Sequence, residues 1–449
     1  MPESRPPITN SPSIPAILLA ECSHKMRKVQ IPRSNLPSQQ QQQQEQGVGN
    51  DDEKEEGEPL AGLKVLEVSP FNDDGNWSSW KRLLKRCVYL ETLHLPAGVE
   101  SGWSQALAEC TSLKRLKVVC IDRPEVRLLT KILRNSGGDS SGLSNLDDIE
   151  LDYLEQEAVN VTGEDITALL LANRKGWRNI GLSSLRTEQS VEALIHHCAT
   201  LELLRVNEAP GLTSAHMHHI LSSSPRLHTF TTLADGEYPY PEVAYFLPED
   251  FIDLDPITNT LRPWSCESTL RRFCAKIEHI PRPDVTLTHY GLPRTEPEEG
   301  IVVEVLQETR TGQSHELQAR IYERLARFTQ LESLALGHDD RDFGNESLFI
   351  IGPDGDPTFG DQHFQYDCLS FSLDSGLQAL EALRGLKKLN VFRMATAIGV
   401  EEVQWMSRVW PKLESLIGLN PEEAKENDAL AWLRENCPRI KLEPFAPWP

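Results

Sequence analysis

The chain has 449 residues, 39% hydrophobic and 25% charged, with 67 acidic side chains against 45 basic ones and a net charge of −22. With a pI near 5.1, this balance argues against nucleic acid as the main partner, since such binders present a basic face; it favours solubility and basic protein partners. No apolar run approaches the roughly 20 residues of a membrane helix, and Ile14–Ala20 is short and lacks the basic start of a secretory signal.

Residues 1–59 hold Pro/Ser clusters, the Gln39–Gln44 tract and the acidic stretch Asp51–Glu58. Such text buries too little apolar surface to offset chain entropy and is expected to form a disordered tail.

From Leu63 a phrase of the form Leu-x-x-Leu-x-Leu recurs. It begins as Leu63-Lys-Val-Leu66-Glu-Val68, Leu90-Glu-Thr-Leu93-His-Leu95 and Leu113-Lys-Arg-Leu116-Lys-Val118. It continues through Leu146-Asp-Asp-Ile149-Glu-Leu151, Trp177-Arg-Asn-Ile180-Gly-Leu182 and Leu201-Glu-Leu-Leu204-Arg-Val206. Full forms recur at Leu331–Leu336 and Leu386–Val391, shorter ones at Leu227–Phe230, Leu270–Phe273 and Leu413–Leu416, with degenerate copies at Cys368–Leu373 and Ile440–Leu442. The first six intervals are 27, 23, 33, 31, 24 and 26 residues. They centre on the roughly 20–29 residue period of leucine-rich repeats. The alternating end of each phrase is a short strand with one buried face.

Helical text lies between the strands. Thr162-Gly-Glu-Asp165 reads as a capping box ahead of Ile166–Leu171, with Gly176 as the stop. Thr187 and Thr213 are expected to cap the next two helices. Strand and helix at this period imply an α/β right-handed leucine-rich-repeat solenoid over 60–449, an arc with an inner parallel sheet and outer helices. Cys87, Cys110, Cys198 and Cys437 each stand three residues before a strand's first apolar position, where the turn needs a small apolar plug. Nine cysteines without a C-x-x-C pair read as reduced thiols of an intracellular, cytoplasmic or nuclear chain, with no zinc ribbon or redox motif. Insertions interrupt the repeat near 236–262, 281–316 and 337–365.

No catalytic signature is present: there is no G-x-S-x-G, P-loop or H-E-x-x-H. His216-Met-His218-His219 lacks a completing Cys or acid for zinc. Asp339-Asp340-Arg-Asp342 and Asp354-Gly-Asp356 do not fit an EF-hand loop. No cofactor and no metal are expected. The candidate binding residues are those flanking the buried leucines, which face the concave side: Thr92, His94, Arg115, Lys117, Asp148, Glu150, Asp152, Arg205, Asn207, Lys388 and Asn390. Their charges alternate between adjacent repeats. Two readings stay open: the charges pair with one another across strands, or they pattern a groove for a protein surface.

The repeats from Leu90 onward resemble the C-terminal region of F-box/leucine-rich-repeat proteins, on Cys87-x-x-Leu90, Cys110-x-x-Leu113, Cys198-x-x-Leu201 and Ser224-Pro225-Arg-Leu227. The C-terminal half is similar to a fungal F-box-like family in Phe251-Ile-Asp-Leu-Asp-Pro256, Leu261-Arg-Pro-Trp264-Ser-Cys266, Ile280-Pro-Arg-Pro-Asp284 and Tyr322–Arg327. Gly399-Val-Glu-Glu-Val-Gln-Trp405 and Trp410-Pro-Lys-Leu413 extend the likeness, which covers roughly 60–443. The resemblance implies the substrate-recruiting arm of an SCF-type ubiquitin ligase, in which an F-box docks a Skp1-type adaptor. No F-box text is evident ahead of the repeats. The competing readings are a scaffold or GTPase-regulator-like repeat protein, since a GTPase activator needs an exposed arginine on a repeat loop and Arg341 sits in such a loop, and a hydrolase using the acidic insertions.

Overall fold

The computed structural model describes residues 28–31, 60, 62–68, 83–96, 102–119, 121–135, 143–152, 161–232, 244–282, 302–337, 349–351, 357–359, 367–392, 394–419 and 424–443. The chain is an α/β leucine-rich-repeat solenoid whose residues fall into two compact units, 1–183 and 184–449.

In the first unit, strands β1 (Lys28–Ile31), β2 (Val65–Val68), β3 (Thr92–Leu95), β4 (Arg115–Val119), β5 (Asp148–Asp152) and β6 (Asn179–Ser184) pair in chain order. Every pairing is parallel. Register puts Leu66, Leu93, Leu116, Ile149 and Ile180 in one row, each at most 1% exposed. The helices between them are α1 (Trp103–Leu107), α2 (Arg123–Asn135) and α3 (Gly163–Leu170).

The second unit repeats the plan. Strands β7 (Leu203–Glu208) and β8 (Thr229–Thr231) are followed by a side ribbon made of β9 (Tyr245–Phe246) and β11 (Lys276–Ile277). The main sheet continues through β10 (Arg272–Cys274) and β12 (Ser333–Ala335). Strands β13 (Phe349–Ile351) and β14 (Pro357–Phe359) form an antiparallel pair of their own. Strands β15 (Lys388–Asn390), β16 (Ser415–Ile417) and β17 (Lys441–Glu443) complete the parallel set. Its apolar row is Leu204, Phe230, Phe273, Leu334, Leu389 and Leu416. The helices are α4 (Glu188–Ile195), α5 (Ser214–Ser223), α6 (Pro248–Ile252), α7 (Val302–Ala326), α8 (Val400–Val409) and α9 (Ala424–Asn436).

One tight turn recurs ahead of the strands. The N–H of the leading apolar residue donates to the carbonyl three residues back: Leu90 to Cys87, Leu113 to Cys110, Leu331 to Phe328, Leu413 to Trp410 and Ile440 to Cys437. The cysteines expected at this turn are buried and free. Burial pushes the Cys87 and Cys110 thiols up to about 12, so they stay protonated and inert. Thr162 and Asp165 form the expected capping box, and Thr187 caps α4. Trp177 and Trp410, both fully buried, satisfy their indole N–H groups on the carbonyls of Leu170 and Leu380.

The structure corrects several expectations. Within residues 1–59 the described strand is β1, Lys28-Val-Gln-Ile31, which has the same period-two alternation as the other strands and pairs with β2. Gly176 does not stop α3, which ends at Leu170; it takes φ 90° in the turn before Trp177. Cys368–Leu373 forms no strand, because β12 pairs directly with β15. The segment packs on α7 instead: Gln318 Oε1 accepts from Ser370 N–H at 2.8 Å and Tyr322 OH accepts from Phe371 N–H at 2.9 Å. The expected 281–316 insertion extends into α7, which begins at Val302.

The 236–262 insertion supplies core. Phe246 and Phe251 are fully buried and mesh with Trp264, Phe273 and Phe328 at ring-centroid distances of 5.1–6.5 Å. Fully buried Arg324 on α7 anchors this insertion. It donates to the carbonyls of Phe251, Ile252 and Arg262 and to Glu267 Oε1 at 2.6–3.2 Å, and its guanidinium lies 4.3 Å from the Trp264 ring centroid. Beyond it, the Asp255–Thr260 turn carries Ile257, 92% exposed.

Two stability outcomes follow. Leu116→Ala empties a fully buried site and is expected to lower unfolding free energy by about 2–5 kcal/mol in urea titration. Arg324→Ala strips Glu267 and several carbonyls of their donor and is expected to cost ~3–5 kcal/mol, whereas Ile257→Ala in the same region shifts stability by less than about 0.5 kcal/mol.

Candidate functional site

The outward positions of the parallel strands fall into rows set by the register. In the first unit, the row just before the strands runs Lys64, Glu91, Lys114, Asp147, Arg178, positive and negative in strict alternation. Glu91 is held between Lys64 Nζ at 2.5 Å and Lys114 Nζ at 2.9 Å, and Arg178 reaches Asp147 at 3.4 Å. Hydrogen bonds from Lys64 and Lys114 hold the Glu91 carboxyl down at about 2.

The next row is Thr92, Arg115, Asp148, Asn179. Arg115 Nε meets Asp148 Oδ2 at 2.5 Å, and the same oxygen accepts from Asn179 Nδ2 at 2.8 Å. The row after it is Glu67, His94, Lys117, Glu150, Gly181. Lys117 Nζ lies 2.5 Å from Glu150 Oε1. Gly181 leaves room for that carboxylate: a Cβ there would stand 2.8 Å from Glu150 Cγ. Burial and then the Lys117 charge push the His94 imidazole below its ordinary value, so it is neutral at pH 7. Asp152 sits opposite Val119 at the end of β5. Of the two readings left open by the sequence, cross-strand pairing is what Arg115–Asp148 and Lys117–Glu150 do.

The second unit differs. Its pre-strand row, Glu202, His228, Arg271, Glu332, Lys387, Glu414, again interleaves signs. Lys387 Nζ pairs with Glu332 at 2.6 Å and also feels Glu414. The following row is Leu203, Thr229, Arg272, Ser333, Lys388, Ser415, Lys441. It carries cations and no acid. Lys388 and Lys441 are exposed and Arg272 is half-buried. One row further the register runs Arg205, Thr231, Cys274, Ala335, Asn390, Ile417 and Glu443; Arg205 and Ile417 are half-buried, Thr231 through Asn390 are buried, and Asn207, two residues past Arg205 on β7, is half-buried.

Asn390 is therefore not an open contact residue: it is 4% exposed and its Oδ1 accepts from Phe392 N–H at 2.9 Å. A short polar side chain at a strand end is drawn into closing the following turn. The sequence analysis missed the pre-strand rows, Arg272 and Lys441. Each pre-strand position is the second residue of its phrase, one place before the outward positions that the alternation picks out. Arg272 escapes because Leu270-Arg-Arg-Phe273 breaks off before its alternation is visible.

The histidine stretch is structural. His216 completes the cap at Thr213, and His218 Nε2 lies 3.0 Å from Asp253 Oδ2. Among the described residues no group of three or more His, Cys, Asp or Glu is placed to hold a metal ion. Among them, too, no helix is long and apolar enough to cross a membrane. Arg341 and the Asp339–Asp342 and Asp354–Asp356 clusters lie outside the described residues. A cavity of about 340 Å³ between α2 and α3 is walled by Arg127, Lys131, Arg134, Glu164 and Asp165. Asp165 is already engaged there by Arg127 Nε at 2.8 Å.

No protein-family model matches the chain, and no curated protein matches it. Among solved structures, the chain is similar to one in the crystal structure of the Rad7 and Elc1 complex in yeast. The TM-score is 0.46 at 11% identity, over 85% of this chain and 80% of that one.

The ladder around Glu91 has a direct readout. Its depressed carboxyl pKa means the ion pairs persist above the ordinary carboxylate range and are lost as pH falls through it toward about 2. A carboxyl-detected NMR titration at low salt is expected to place the Glu91 midpoint well below that of an exposed glutamate. Lys64→Ala, Lys114→Ala or high salt is expected to raise it.

Proposed function

We propose that this chain is a non-catalytic, protein-binding leucine-rich-repeat module that recognises its partner on the outward rows of its parallel sheets. We further propose that the partner is a substrate recruited to an SCF-type ubiquitin ligase. The observation that carries the first part is the division of labour within each strand. Alternate residues fill the core, and the residues between them form ordered rows of polar and charged groups on consecutive strands. Such a face matches a macromolecular surface by shape and charge. It gathers no nucleophile, base and oxyanion donor around one reacting atom, the arrangement that catalysis requires. The ligase role rests on the resemblance of the repeats to F-box/leucine-rich-repeat proteins.

The two parts are tested separately. Co-purification of the full chain with a Skp1-type adaptor is expected for the ligase role, and no retention of that adaptor at micromolar concentration would remove it. For the binding role, partners crosslinked to the full chain are expected to map to β3–β5 or to β10–β16. Crosslinks confined to the helices would sink it.

A further inference from the structure

The cavity between α2 and α3 lies among the outer helices of the first unit, away from the strand rows. Arg123, Arg127, Lys131 and Arg134 are spaced four, four and three residues apart along α2, so they share one helix face. That face borders the cavity of about 340 Å³, whose other wall is Glu164, Asp165 and Ala168 on α3. Two of the cations are held in place. Asp165, 5% exposed, takes Arg123 Nε on one carboxylate oxygen and Arg127 Nε on the other, both at 2.8 Å. Burial raises the Asp165 carboxyl, but hydrogen bonds from Arg127 and Thr162 outweigh it and hold the group below its ordinary value, so it is ionised at pH 7. A guanidinium engaged at Nε still has its Nη donors to give. Among the described residues, neither those Nη groups nor the exposed Lys131 and Arg134 meet an acceptor. Four cations here stand against two acids, Asp165 and the exposed Glu164. A cation in the last turn stabilises the negative end of a helix, which accounts for Arg134. It does not account for Lys131 and Arg127, one and two turns earlier.

We propose that this cavity binds the dianion of a phosphate monoester. Two guanidiniums held by one buried carboxylate present N–H donors in fixed forks, the geometry that suits a tetrahedral oxyanion. Lys131 and Arg134 add charge from the same helix face. The local excess of positive charge matches a monoester, which carries about −1.5 to −2 at pH 7; a carboxylate or a sulfate ester carries a single charge and leaves part of the excess uncompensated. The ester can arrive on a small molecule or on a side chain of another protein, and the chemistry recognised is the same. The site is separate from the outward strand rows and does not rest on the proposed function.

The test is isothermal titration calorimetry of the full chain at low salt, with phenyl phosphate and phenyl sulfate as probes. Phenyl phosphate is expected to bind saturably and about tenfold or more tighter than phenyl sulfate. The double variant Lys131→Gln, Arg134→Gln is expected to lose that preference with little change in thermal midpoint, because both side chains are exposed. Lys85→Glu, an exposed lysine elsewhere in the first unit, is expected to leave binding intact. Asp165→Asn separates a built site from loose attraction. Removing an acid enlarges the positive excess, so loose attraction would strengthen phosphate binding. Release of Arg123 and Arg127 is expected to weaken it instead, measured below the melting transition of the variant. Free phosphoserine and phosphoserine within a neutral peptide distinguish the two sources: tighter binding of the peptide assigns the ester to a protein, and equal affinity assigns it to a small molecule. Equal affinity for the two phenyl esters, indifference to the double variant, or tighter phosphate binding by Asp165→Asn would each overturn the proposal.

Discussion

The in-register row of apolar side chains running from strand to strand within each unit is the constraint on which everything else depends. A single repeat has a strand of three to six residues and cannot bury its own inward side chain. It does so only by setting that side chain against the same position of the coils before and after it. Because side chains alternate along a strand, a slip of one residue would turn the whole row outward. The turn that recurs ahead of many of the strands prevents the slip. It fixes where the leading apolar residue enters, and the buried group at its start, whether Cys87, Cys110, Phe328 or Trp410, fills the space beneath it.

Once the inward row is fixed, the outward rows are fixed in place and free in identity. At strand spacing, neighbouring charges in water interact by only about 1 kcal/mol, too little to decide the fold but enough to select signs. In the first unit, the pre-strand row from Lys64 to Arg178 and the Arg115–Asp148 and Lys117–Glu150 pairs cancel charge locally. In the second, Ser333 and Ser415 stand between Arg272, Lys388 and Lys441, which keeps like charges on alternate strands. The same scaffold physics thus fixes where the outward side chains stand in both units and leaves their charge pattern to the residues that occupy those places.

The strands were legible in the sequence because their signal is local and repeated. Leu66, Leu93, Leu116, Ile149 and Ile180 stand in one row because their phrases share a frame. Caps at Thr162 and Thr187 were equally local. What stayed hidden depends on partners distant in the chain. Cys368–Leu373 has the composition of a strand, yet whether it joins the sheet is decided by the direct pairing of Ser333 with Lys388. The candidate surface was half legible. The register gave the positions of Arg115, Asp148 and Lys388, but Asn390 is withdrawn by a hydrogen bond to Phe392 that no spacing rule announces.

The 236–262 region shows how a repeat array absorbs an irregular segment without breaking its sheet. Strand β8 still pairs with β10, so the intervening chain must cover the core there by other means. It does so with the aromatic cluster of Phe246, Phe251 and Trp264 and the short helix α6, only five residues long. So short a helix leaves its last carbonyls without intrahelical partners, and here they are buried. Water is excluded from that position, so the donor has to come from the protein. Arg324 supplies it from α7, placing a guanidinium on the carbonyls of Phe251 and Ile252, at the negative end of the helix. Burial lowers the Arg324 pKa to about 10 while Glu267 opposes that shift, so the group remains charged at neutral pH. Its fork reaches several acceptors at once, which a lysine ammonium on a flexible stem cannot match. A buried arginine on α7 is thus the consequence of ending a helix inside the core.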